Sequence, residues 1–110
     1  GTSTPLGDIA EITAIENVFK ENTKNINISS TKSMTGHLLG AAGAIETIAS
    51  ILAINYKKVP PTINHFNNDD KINKKLNFTF NKPQQREVKI AINNTFGFGG
   101  HNTSIAFKKY

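Results

Sequence analysis

The sequence predicts an α/β fold in which helices pack on one face of a sheet. Two periodicities carry that expectation. Apolar residues recur at three- and four-residue steps over 9–19 and again from about His37 to Asn55, as on helices packed by a face. Val88, Ile90 and Ile92 instead alternate along the chain, and beyond a glycine turn Ile105, Ala106 and Phe107 begin or continue a last strand, giving a closing strand pair. At 110 residues the chain suffices for one small domain, taken as 1–110.

Thr4-Pro5 opens the first helix, Ile9, Ile12, Ile15, Val18 and Phe19 form its packed stripe, and the pattern fades near Glu21 or Asn22. Ile26 and Ile28, between polar Asn25 and Asn27, read as a short half-exposed strand, and Ser29 to Gly36 as the turn leading out of it. The helix from His37 is apolar on more than one side through Leu38, Leu39, Ile45, Ile48, Ile51 and Leu52, which marks it as a core helix. Gly40, Ala41, Ala42 and Gly43 are small enough for another backbone to approach. Pro60-Pro61 ends the helical region and Asn67 to Asp70 read as an exposed loop. Leu76, Phe78 and Phe80 suggest one further short strand.

Lysine and arginine number 13 against 8 acidic residues, a formal charge of +5 spread along the chain, which reads as a solvated basic surface. No block of like charge and no basic cluster interleaved with aromatics supports nucleic-acid binding. The longest apolar stretch, Leu38 to Tyr56, is interrupted by Gly40, Gly43, Glu46 and Asn55, so no membrane span is expected. With no cysteine the chain has no disulfide, thiolate metal site or cysteine nucleophile of its own. His65 and His101 do not stand at metal-ligand spacing, and no dinucleotide fingerprint is present, so neither a metal nor a soluble cofactor is expected.

The chemistry concentrates in Thr31-Lys32-Ser33-Met34-Thr35-Gly36-His37-Leu38-Leu39-Gly40-Ala41-Ala42-Gly43, which sets a lysine and a histidine five places apart in a glycine-bearing turn. Gly1-Thr2-Ser3-Thr4-Pro5-Leu6-Gly7-Asp8 precedes it and Asn94-Thr95-Phe96-Gly97-Phe98-Gly99-Gly100-His101-Asn102 follows. In order and spacing the three resemble motifs of the β-ketoacyl-[acyl-carrier-protein] synthases, the condensing enzymes of fatty acid elongation. The resemblance implies the C-terminal half of a thiolase-like α-β-α-β-α sandwich, with a large apolar surface left for the other half to cover. It also implies a chain that is part of a longer subunit, in which the acyl-bearing Cys and a second catalytic His, immediately before Gly1, lie outside these residues.

What the resemblance implies for the site is specific. His37, as a neutral ring able to donate one hydrogen bond, would stabilise the enolate formed as malonyl thioester loses CO2. Lys32 would orient and support it electrostatically, paired with Glu46 in the following helix. Thr2 and Thr4 would hydrogen-bond the phosphopantetheine arm. Phe96 and Phe98 would line and gate the acyl channel, with the Phe98 N–H joining the oxyanion hole. Some members hold a structural cation, for which Glu46, Asn93 and Asn94 would be the oxygen ligands. The implied partner is an acidic acyl carrier protein, the implied assembly a homodimer, and the implied setting a bacterial cytoplasm or a plastid. Ser30 to His37 resembles the dissociated type II synthases more than modular polyketide ketosynthases, which usually carry an N-I-G-H type turn. A polyketide ketosynthase and a non-condensing chain-length or scaffold homologue are the alternatives.

Overall fold

The computed structural model describes residues 1–110. Helix α1 spans Gly7–Phe19 and continues into a 3-10 turn, Lys20–Asn25. A four-residue helix α2, Lys32–Thr35, is followed by a 3-10 turn, Leu39–Ala41, and the long helix α3, Ala42–Tyr56. Strands β1 (Lys58–Val59) and β2 (Gln84–Gln85) make a short antiparallel pair, while β3 (Ile90–Phe96) and β4 (Asn102–Lys108) make a hairpin in register from Ile90↔Lys108 to Phe96↔Asn102. The α/β expectation holds, but the single sheet is replaced by two separate two-stranded ladders.

Three expected elements differ for local reasons. The second long helix starts at Ala42 rather than His37, because Gly36 (φ +74°) and Leu39 (φ +51°) both take left-handed backbone that a continuous α-helix excludes. Ile26 to Ile28 forms no strand. It makes only one bridge, Asn27↔Asn77, with the Ile28 N–H donating to Asn77 O, and Asn27 is otherwise held by its side chain, which donates to Thr79 and Gln84. The proposed strand at Leu76, Phe78 and Phe80 is likewise reduced to single bridges, interrupted at Thr79, whose φ is +31°.

The hairpin packs on α3 through residues the alternation did not single out. Pleating sends successive side chains to opposite faces. Ala91, Asn93 and Thr95 share the face toward α3, where buried Asn93 donates from Nδ2 to Gly43 O and Thr47 Oγ1. A Cβ on Gly43 would lie 3.2 Å from Thr95 Oγ1, so what approaches that glycine is a side chain of β3 rather than a second backbone, and nothing approaches Gly40 within 4 Å. Ile90 and Ile92 consequently face away from α3 and are exposed.

Only 7 of 110 residues are buried, among them Ile12, Ala42, Ala53, Ile54 and Leu76, so the chain closes little core by itself. Ile45, Ile48, Ile51 and Leu52 of α3 and Ile90, Ile92 and Ile105 of the hairpin remain exposed, the uncovered apolar surface expected of one half of a layered sandwich. By length and composition alone Leu39–Tyr56, with mean hydropathy 1.3, is apolar enough to cross a membrane despite its interruptions. Within the fold this stretch is the helix seated on β3, and its apolarity on several sides is that of a layer with neighbours on several sides.

Candidate active site

The turn before α3 is built from backbone hydrogen bonds. Thr31 O accepts from Met34 and Thr35 N–H, and Lys32 O accepts from Gly36 N–H at 2.9 Å, closing α2. Gly36 then redirects the chain with φ +74°, a conformation that costs other residues steric strain, and His37 follows as an exposed residue ahead of the 3-10 turn. His37 therefore stands five places before α3 instead of at its start, and its protonation pattern has a different origin from the one expected. The Leu39 N–H donates to His37 Nδ1 at 3.0 Å. An acceptor at Nδ1 places the ring proton on Nε2, which is left free to donate outward. Leu39 makes this contact from a left-handed backbone (φ +51°), an uncommon state for a bulky side chain and one found where a site demands it.

Lys32 projects toward α3, and its Nζ donates to Glu46 Oε1 with both side chains mostly buried. Glu46 Oε2 is buried without a partner. The structure thus brings together the lysine and glutamate that the resemblance pairs. It does not assemble the implied cation ligands. Asn93 and Asn94 occupy opposite faces of β3, and Asn94 is committed elsewhere, donating to Glu11 Oε1 and accepting from Ser104.

The other motifs are tied to this turn. Ser30 Oγ, just before the second motif, donates to Gly1 O at 3.0 Å in the first, Asn94 of the third donates to Glu11 of α1, and Gly43 of the second lies against the Thr95 side chain of the third. Thr2 N–H donates to Asp8 Oδ1, and Thr4 Oγ1 accepts from Gly7 N–H at 3.2 Å, so Thr4 also serves the first turn of α1. Thr2, Lys32 and His37 line one cavity of about 630 Å³, together with apolar Ile12, Ile28 and Leu76 and many polar residues; Thr4, Glu46, Phe96 and Phe98 lie outside it. Phe96 ends β3, and Phe98 caps a turn in which Gly99 (φ +80°) and Gly100 (φ +83°) supply the backbone freedom and Gly97 N–H donates to His101 O. The Phe98 ring is fully exposed and touches nothing that would fix it.

Sequence reasoning missed the Leu39 N–H and the hydroxyls of Ser33 and Thr62, which hold the turn. Ser33 was visible inside the motif, but nothing in the sequence pattern points from it to residues 62–63.

An imidazole with one nitrogen satisfied by backbone and the other free, in the same turn as a mostly buried lysine–glutamate pair, is an arrangement that can stabilise developing negative charge. The family described as "Beta-ketoacyl synthase, C-terminal domain" matches residues 1–66. The chain is 49% identical over all 110 residues to the 3-oxoacyl-[acyl-carrier-protein] synthase 2 of Synechocystis sp. and equally to that of Staphylococcus aureus, and spans 26% of the length of each. A solved type II polyketide ketosynthase in complex with its acyl-carrier protein superposes on the whole chain with TM-score 0.93 at 38% identity, and a β-ketoacyl synthase from Burkholderia phymatum with TM-score 0.90 at 34%; the chain covers 26% of each. The chain belongs to the β-ketoacyl synthase family, as its C-terminal domain.

Proposed function

We propose that this chain forms the malonyl-activating side of a 3-oxoacyl-[acyl-carrier-protein] synthase that extends fatty acyl chains. The acyl group is carried as a thioester on a cysteine supplied from beyond these residues, since the sequence contains none. Malonyl thioester, delivered on the phosphopantetheine arm of an acyl carrier protein, loses CO2. The electron pair of the broken C–C bond passes into the thioester as an enolate, whose oxygen accepts a hydrogen bond from His37 Nε2–H. The enolate carbon then attacks the acyl thioester carbonyl, forming the new C–C bond and expelling the cysteine thiolate. Lys32, held by Glu46, sets the position and field of the turn and takes no proton, because decarboxylation generates the carbanion without one. Thr2 and Thr4 hydroxyls steady the arm, and Phe98 gates the acyl channel. The whole enzyme is a homodimer in this reading.

The observation that carries the proposal is the Leu39 N–H···His37 Nδ1 bond, which commits the imidazole to donating from Nε2. The 49% identity to 3-oxoacyl-[acyl-carrier-protein] synthase 2, against 38% to the type II polyketide ketosynthase, favours fatty acid elongation over polyketide assembly. In the whole enzyme His37→Ala should slow malonyl decarboxylation at least about 100-fold, the scale of one lost oxyanion donor, while leaving acyl loading nearly intact. Near-normal decarboxylation by a folded His37→Ala enzyme removes His37 from the mechanism.

A further inference from the structure

Lys32 and His37 can act only if the turn carrying them keeps its place, and neither helix length nor core burial provides that. Helix α2 has four residues, none of them fully buried. Its anchorage is a pair of hydroxyls contributed from two distant stretches of chain. Ser33 Oγ donates to Ser30 O at 2.9 Å and accepts the Ile63 N–H at 2.9 Å. Thr62 Oγ1 accepts the Ser30 N–H at 2.8 Å. The far side of this staple is itself held, because Thr62 N–H donates to Thr79 O at 3.0 Å and Thr62 O accepts from Asn81 N–H at 2.8 Å. Thr79 is 1% exposed, the most buried residue in the chain, so the staple ties the reactive turn to the firmest point available.

We infer that Ser33, acting with Thr62, is a positioning residue for His37 and Lys32. This rests on the condensing-enzyme reading above. A hydroxyl is the group the geometry requires, since one atom must donate to a carbonyl and accept from an N–H at once. Alanine at 33 would leave the Ile63 N–H without its acceptor and would leave Ser30 O, from Ser33, only the Ser33 N–H at 3.4 Å. The turn would keep the Thr62 and Gly1 contacts at Ser30 and the Lys32–Glu46 pair, but would lose the hydroxyl that ties α2 itself to the 62–63 stretch, so α2 can pivot about what remains. His37 lies four places beyond Ser33 and its only hydrogen bond is to its near neighbour Leu39, so any pivot is carried into the imidazole. Misplacement by about 1 Å can cost about 100-fold in rate; with the other tethers remaining the expected loss is about tenfold.

The test uses the whole enzyme and measures malonyl decarboxylation and acyl loading separately. Ser33→Ala should lower kcat for decarboxylation about tenfold with KM for the malonyl thioester within about twofold and loading unchanged. Ser33→Thr, which keeps the hydroxyl, should restore most of the rate, and Ser33→Ala combined with His37→Ala should be no slower than His37→Ala alone. Thr62→Val, close in shape but without the acceptor, should reproduce the Ser33→Ala defect, and it decides the matter if Ser33→Ala does not fold. A normal decarboxylation rate in Ser33→Ala and Thr62→Val, equal losses in both half-reactions, or losses that multiply fully with that of His37→Ala would each overturn the positioning role. If His37→Ala itself decarboxylates normally, the condensing-enzyme reading falls and this inference falls with it. If His37→Ala is inactive and Ser33→Ala is not slowed, only the inference falls.

Discussion

Replacing Lys32 by Met should cost the fold more than replacing Glu46 by Gln, because of the group each change leaves behind. Glu46 has 12% side-chain exposure, its Oε1 is held by Lys32, and its Oε2 has no partner. Lys32→Met therefore strands a carboxylate with both oxygens unpaired in a mostly desolvated place. Removing one member of a fully buried pair costs about 3–5 kcal/mol, and the residual exposure on both sides brings the expectation to about 3 kcal/mol. Glu46→Gln keeps an oxygen for the ammonium to donate to, and should cost about 1–2 kcal/mol as a weakened charged hydrogen bond. The double change Lys32→Met with Glu46→Leu removes both charges together and should recover most of the loss, giving a coupling energy of about 2 kcal/mol in the cycle. Urea denaturation followed by far-ultraviolet circular dichroism reads each value from the shift in midpoint at constant slope. A Lys32→Met protein within about 0.5 kcal/mol of the parent would make the pair equivalent to an exposed one and refute the reasoning. So would a Glu46→Gln protein less stable than Lys32→Met.

Two further outcomes follow from the packing. Gly43→Ala should be close to neutral, since the new Cβ meets only the hydroxyl of Thr95 at 3.2 Å and alanine favours the helix by about 1 kcal/mol, whereas Gly43→Leu should destabilise by about 1–3 kcal/mol by prising α3 from β3. Comparing the two denaturation midpoints checks this, and a Leu variant as stable as the Ala variant would show that the seat is not tight. Phe98→Ala should change stability by no more than about 0.5 kcal/mol, because the ring is 101% exposed. In the whole enzyme it should alter acyl loading across chain lengths while sparing malonyl decarboxylation, and unchanged loading at every length would remove Phe98 from the gate.

How much of this was legible in the sequence depended on the range of the contact. Helix α1 and the β3–β4 hairpin were legible because their signals are local: a three- and four-residue stripe from Ile9 to Phe19 and apolar alternation about a glycine turn. The same logic left the faces unassigned, since Ile90 and Ile92 mark a strand but point away from the helix that the strand supports. Alternation reports that two faces differ and does not say which neighbour each one meets. The break between His37 and Ala42 was not legible, because it depends on a leucine at φ +51°, a state that local propensity assigns to glycine or asparagine.

The site divides along the same line. Lys32 and Glu46 lie 14 residues apart, and their contact was anticipated only because the motif resembles a family that pairs them. Ser33 and Ile63 lie 30 residues apart and are joined by one hydroxyl and one backbone N–H, a contact that leaves no mark on hydrophobic period, charge pattern or turn chemistry. Motif residues such as His37 are legible because their chemistry restricts what can stand there. The groups that aim them, a Leu39 N–H and a Ser33 hydroxyl, belong to residue types found everywhere, and they acquire a role only from where the backbone delivers them. A motif therefore names the reacting side chain, while its orientation is set by polar contacts, local or distant, that the motif leaves unread. For this reason the hydroxyl staple is a sharper test of the arrangement than another substitution at His37.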